Sequence, residues 1–110
     1  MDPLHLTTSR HEGTLTVTVS GELDIATTEP LRALLLELLD EARAEPEPDA
    51  AVVVEVSGLS FVDAAGLGVL VHAHNRASGQ RTPLLVAGVP PSMQRLLKIT
   101  GLDAHLVTVA

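Results

Sequence analysis

Cysteine is absent from the 110 residues, which excludes a disulfide scaffold, a thiolate metal site and a cysteine nucleophile together. Aromatic residues are almost absent: there is no Trp or Tyr, and Phe61 is the single Phe. A core must therefore come from Leu, Val, Ile and Ala, and there is no platform on which nucleic-acid bases would stack. Positive charge is scarce as well. Against Asp+Glu 14 there are Lys+Arg 7, a formal net charge of −7. Without a basic face neither nucleic-acid binding nor docking on anionic lipid is expected, and the plain consequence of the acidic balance is solubility. Long apolar runs are missing too, all falling well short of the roughly 20 residues needed to span a bilayer. Met1-Asp-Pro-Leu-His5 has neither the basic start nor the apolar run of a signal peptide. The expectation is a soluble, cytoplasmic protein with no membrane insertion and no direct nucleic-acid contact.

What is present is a 45% apolar content, enough for the core of one domain over residues 1–110. His11-Glu-Gly13 separates two short segments that read as a hairpin. In the second, Leu15, Val17 and Val19 alternate with Thr16, Thr18 and Ser20, the period of a half-buried strand. Gly21-Glu-Leu-Asp24 reads as a turn. From about Thr27 the period changes: Leu31, Leu34, Leu35, Leu38, Leu39 and Ala42 form one helical stripe, with Pro30 in the first turn. Ala44 to Asp49 is a polar loop whose two prolines end the helix.

Ala51-Val-Val-Val-Glu-Val56 shows almost no alternation and reads as an interior strand covered on both faces. A helix is expected from about Ala64 to Ser78, with Leu67, Leu70, Val71, His74 and Ala77 on one face. Leu84 to Ala87 is a short buried strand. Pro90-Pro91 open a third helix, with Met93, Leu96, Leu97 and Thr100 on a face, Gly101 as its stop and Leu102 packing back. His105 to Val109 is a final strand. This alternation means an α/β domain, helices packed on a small, partly parallel sheet.

The most informative stretch is Ser57-Gly-Leu-Ser-Phe-Val-Asp-Ala-Ala-Gly-Leu-Gly-Val-Leu70, which reads as leaving the strand, turning at Ser57-Gly58 and entering the second helix through Asp63. Asp63 stands where an N-cap would accept hydrogen bonds from the first turn of the helix. Behind it Gly66 and Gly68 cost the helix roughly 1 kcal/mol each against alanine. Two compensations fit equally: close packing of the helix on its own sheet, or a bare helix start that a partner's backbone can approach.

Three segments together resemble the STAS domain family, specifically the bacterial anti-sigma-factor antagonists. Gly21-Glu-Leu-Asp24 with Leu31-Arg32 resembles the entrance to the family's first helix. Leu59-Ser-Phe-Val-Asp63 with Gly66-Leu-Gly-Val-Leu70 resembles its central signature, and Met93 to Asp103 its C-terminal helix and exit. The resemblance implies a STAS-like small mixed β-sheet of about four to five strands with three to four helices. It implies a binding module, not an enzyme, which sequesters an anti-sigma factor of serine-kinase fold and frees a sigma factor. In the regulated members of the family a serine directly follows the signature aspartate, and its phosphorylation adds a charge that blocks binding; a helix N-terminus suits such a phosphate. Here that position is Ala64, followed by Ala65, so the switch is not available at this residue. The implied partner-binding residues are Glu22, Asp24, Thr27, Asp63, Ala64, Ala65, Gly66 and Gly68. Thr27, Thr28, Ser57 and Ser60 are the nearby hydroxyls; capping and turn hydrogen bonds are the favoured roles for them over phosphorylation. The same resemblance admits a STAS subunit of another assembly, such as a lipid-transport ABC ATPase complex or a stress-sensing scaffold, and a monomer or weak homodimer.

Other sites carry less. His72 and His74, at i and i+2 on a helix, point in different directions, so no metal is expected there. Gly66-Leu-Gly68 lacks the third small residue of a dinucleotide loop, since Val71 stands there, and no cofactor is expected. Glu22 and Asp24 have no nucleophile beside them, and Asp24 is better read as ordering the turn into the first helix. Leu36 lies opposite its helix's apolar stripe and is expected on the surface, where lone leucines are normal; extending a docking patch with Ala33 is the less favoured reading.

Overall fold

The computed structural model describes residues 3–44 and 50–109; of the loop expected at 44–49, Ala44 ends the first helix and 45–49 lie outside the described residues. Glu12 and Gly13 join the first two strands, and both adopt positive φ (48° and 82°), the two-residue turn whose twist matches that of a hairpin. It sets β1 (His5–His11) antiparallel to β2 (Thr14–Leu23), with His11 opposite Thr14. From there the chain runs through α1 (Thr28–Ala44), β3 (Ala51–Val62), α2 (Ala64–Gly79), β4 (Leu84–Ala87) and α3 (Pro91–Thr100). A 3-10 turn (Leu102–His105) and β5 (Val107–Val109) complete it. The sheet order is β1-β2-β3-β4-β5, with β2 to β5 mutually parallel. The expected mixed α/β sheet is thus present, with five strands and three α-helices.

Each crossover from β2 onward steps one strand in the same direction, and crossovers share one hand. All three helices therefore fall on one face of the sheet. The core has that composition: Leu15, Val17 and Val19 of β2, Val52, Val54 and Val56 of β3, and Leu84 and Val86 of β4 pack in one cluster with Leu31, Leu35, Leu38 and Leu39 of α1, Leu67 and Leu70 of α2, and Met93 and Leu97 of α3. This corrects the reading of Ala51–Val56. The strand is central, but Ala51, Val53 and Glu55 face away from the helices and are only half-buried, so the β-branched run has one covered face, not two.

Other boundaries also moved. β2 continues through Gly21 and Glu22 to Leu23, where a turn was expected, because two register irregularities keep it paired with β3. Gly21 sits at φ +92°, and a Cβ there would lie 2.0 Å from the Pro3 carbonyl oxygen; this glycine serves a bulged strand. β3 likewise runs on to Val62 instead of turning at Ser57. The last strand is only Val107–Val109, since Leu102–His105 wind into the 3-10 turn. Gly101 closes α3 and Leu102 packs against the core as expected. Thr100 and Leu36 were placed by the helical wheel; Thr100 is exposed rather than packed, and Leu36 is half-buried rather than fully exposed.

Candidate docking site at the ends of β2 and β3

β2 and β3 overshoot β4, which stops pairing at Glu55–Ala87. The continuation of β3 from Ser57 to Val62 projects about 20 Å at the usual strand rise. At its tip the β2–α1 loop and the start of α2 are held together by one side chain. Asp63 is the N-cap of α2: its Oδ1 accepts from the Gly66 N–H at 2.9 Å, satisfying a free donor of the first turn. Its Oδ2 accepts from the Ile25 N–H at 3.2 Å, and its own N–H donates to the Leu23 carbonyl at 3.2 Å. Asp63 thus latches the two loops to one another.

The β2–α1 loop carries a second knot. Asp24 Oδ1 accepts from the Ala26 N–H at 2.9 Å, the turn-ordering role expected of it. The Thr27 hydroxyl donates to the Glu22 carbonyl at 3.0 Å and accepts from the Asp24 N–H at 2.9 Å. The hydroxyls of Thr28 and Ser60 likewise reach backbone carbonyls, of Ile25 at 3.4 Å and Gly21 at 3.2 Å. Turn and cap bonding therefore occupies the hydroxyls of Thr27, Thr28 and Ser60; Ser57 is exposed, and its N–H donates to Glu55.

The two glycines divide the two readings between them. A Cβ on Gly66 would sit 2.7 Å from Leu23 Cγ and 2.9 Å from the Leu23 carbonyl oxygen, so this glycine lets α2 pack on the end of β2. A Cβ on Gly68 would meet nothing within 4 Å; that residue is exposed, and the helix there shows bare backbone. Of the expected site residues, the structure gathers all eight at this one tip. Ala64 and Gly68 are exposed, Glu22, Asp24, Thr27, Asp63 and Ala65 are half-buried, and Gly66 is buried. Gly66 thus offers no surface of its own to a partner; its contribution to any contact is the packing beneath it.

Two residues escaped the sequence reading. Ile25 is 78% exposed and Phe61 51%, the first in the loop latched by Asp63 and the second at the end of β3. Ile25 belongs to no periodic stripe, and Phe61 was noticed only as the lone aromatic. The available signal was an aliphatic residue between Asp24 and Ala26 in a turn, where polar residues are usual. Of the histidines weighed for metal, His72 is exposed and His74 half-buried. Among the described residues no group of three or more His, Cys, Asp or Glu comes together, and no helix is long and apolar enough to cross a membrane.

A one-sided, mostly parallel sheet whose strand ends carry a capped helix start and an apolar rim is the architecture of a small STAS-type α/β domain. The chain belongs to that family: the family model described as "Mlab, STAS domain" matches residues 6–108. An anti-sigma F factor antagonist of Paenibacillus polymyxa is 30% identical over 99 residues, which is 90% of this chain and 80% of that protein. An anti-sigma-B factor antagonist of Staphylococcus epidermidis is also 30% identical over 99 residues, covering 90% of this chain and 86% of the relative. Among solved structures, an anti-sigma factor antagonist from Mycobacterium paratuberculosis superposes with a TM-score of 0.81 at 25% identity, over 97% of this chain and 86% of that one. These relatives are named for regulatory binding, not for a catalysed reaction.

Proposed function

We propose that this chain is a cytoplasmic anti-sigma-factor antagonist that sequesters an anti-sigma factor of serine-kinase fold and so frees a sigma factor. The observation that carries the reading is the tip of β2 and β3, where exposed Ile25 and Phe61 flank the bare helix start at Ala64 and Gly68. Apolar side chains held on a latched loop beside open backbone suit close docking of another protein. The names of the relatives support the same reading. Binding is the whole activity in this proposal; no reaction is catalysed, and no metal or cofactor is used. Glu22, Asp24, Thr27 and Asp63 shape the surface through their internal hydrogen bonds, while Ala64, Ala65 and Gly68 lie along the approach. The protein itself works as a monomer or weak homodimer.

Ala64 has no hydroxyl, so the antagonist is not switched by phosphorylation there and stays competent to bind. The same residue favours a second reading, a STAS subunit of another complex such as a lipid-transport ABC ATPase or a stress-sensing scaffold, where no phosphate switch is needed. Capture of purified kinase-fold anti-sigma factors and of ABC-type ATPases by wild type, Ala64→Asp and Ile25→Ser separates the two. The antagonist reading expects an anti-sigma factor to bind wild type, and Ala64→Asp to abolish it. Ile25→Ser should weaken it about tenfold or more, the value of one aliphatic side chain lost from a buried contact. Binding of the ATPase alone, or of an anti-sigma factor indifferent to both substitutions, refutes it.

A further inference from the structure

Away from the Asp63 tip, at the step where β4 ends and β3 runs on, the fold leaves a cleft of about 630 Å³. It lies at the carboxyl ends of the parallel strands β4 and β5, and its size is that of a small-molecule site. Gly88 and Val89 after β4, Thr108 and Val109 of β5, and Gln94, Leu97 and Lys98 of α3 line it, with Asp103 of the 3-10 turn.

Two opposite charges line it. Arg10, Arg32, Arg43 and Arg76 each pair with a carboxylate, whereas Arg81, Arg95 and Lys98 pair with none among the described residues. Lys98 and Asp103, opposite charges lining the same cleft, pair neither with each other nor with any other described residue. α3 carries no acidic side chain to neutralise Lys98. Val89, Leu97 and Val109 add aliphatic surface to the same lining, and Gln94 donates to the Val89 carbonyl at 3.2 Å. A separated cation and anion beside an aliphatic surface match a ligand that carries both opposite charges and a branched hydrocarbon body.

We propose that this cleft binds a small aliphatic zwitterion, an α-amino acid or a short peptide, with its carboxylate on Lys98, its ammonium on Asp103 and its side chain against Val89, Leu97 and Val109. The cleft shares no lining residue with the Asp63 surface.

The test uses the whole chain, L-leucine and L-leucyl-L-leucine as probes, and backbone amide NMR titration. The expected result is a saturable shift concentrated at Gly88, Val89, Thr108 and Val109. For the tighter probe, capping the carboxylate as an amide or removing the amino group should each weaken binding about tenfold, the usual worth of a charge-assisted contact. Lys98→Gln should weaken the parent probe to the level of its amide, and Asp103→Asn to the level of the desamino compound. Both side chains are exposed, so both variants should melt with wild type. No saturable shift with either probe, shifts centred elsewhere, or a Lys98→Gln protein that still prefers the free carboxylate would overturn the proposal. So would cosedimentation with phosphatidylethanolamine vesicles in a protein that ignores both probes, since that would mark a lipid headgroup site.

Discussion

Adding one methyl group at either of two positions in the first turns of α2 should move stability in opposite directions. In Gly66→Ala the new Cβ meets Leu23 Cγ at 2.7 Å and the Leu23 carbonyl oxygen at 2.9 Å. The side chain can yield, but the carbonyl is backbone and already accepts from the Asp63 N–H at 3.2 Å. Overpacking of this kind costs about 1–3 kcal/mol, offset by at most about 1 kcal/mol of helix propensity. The net expectation is a loss of up to about 2 kcal/mol. In Gly68→Ala the Cβ enters open space, so only the propensity gain of up to about 1 kcal/mol remains. The propensity gain is common to both, so the two variants should differ by the overpacking cost of about 1–3 kcal/mol, or about 4–12 °C in melting temperature for a domain of this size. Thermal melts followed by circular dichroism, with urea titrations alongside, read the difference directly. Gly68→Ala should at the same time weaken capture of the partner, because stability and access part company at that residue. A Gly66→Ala protein as stable as Gly68→Ala, or a Gly68→Ala protein less stable than wild type, would refute the assignment of one glycine to packing and the other to open surface.

Asp63→Ala should cost about 2 kcal/mol, the loss of an N-cap together with the bond to the loop. Faster amide exchange at Gly66 and Ile25 would identify the latch, and equal exchange at both would argue against it. Thr27→Val should destabilise by about 1–2 kcal/mol in urea titration, since it leaves the Asp24 N–H and the Glu22 carbonyl without their shared partner, while Thr27→Ser should recover most of that. Gly21→Ala should be the most damaging small substitution, by about 3 kcal/mol or more, because both the positive φ and the Pro3 carbonyl oppose a side chain. A melting temperature within 3 °C of wild type, against the shift of about 12 °C expected for a domain of this size, would contradict it.

The helices were legible because leucine marks them. The α1 stripe from Leu31 to Ala42 repeats at helical spacing and buries as the spacing requires, with only Leu34 left part-way. The short strand Leu84–Ala87 is bounded by residues that cannot extend it. The ends of β2 and β3 were not legible because Gly21 and Gly58 were read as turn residues. Both are glycines for a different reason: a neighbour lies where Cβ would be, the Pro3 carbonyl at Gly21 and the Ser20 Cβ, at 2.9 Å, at Gly58. A crowded glycine inside a strand and a flexible glycine in a turn look identical in sequence. The apolar run at Ala51–Val56 misled in a related way. Alternation in composition was absent, but alternation in burial was imposed by topology, since every crossover steps the same way and all helices share one face.

The site itself divides along the same line. Residues with a recognisable polar role, Asp24, Thr27 and Asp63, were found from sequence, and the structure spends their polar atoms on holding the tip together. The residues that offer area, Ile25 and Phe61, were not found, because an exposed apolar side chain follows no periodicity. Loss of binding on substituting Asp63 is therefore not evidence of a direct contact, since the same change releases Ile25 from its place. Substitutions at Ile25 and Phe61 leave the latch whole and change only what the tip presents. A partner that reads this surface must recognise shape and apolar area, with Ala64 as the exposed point at which a single negative charge would oppose it.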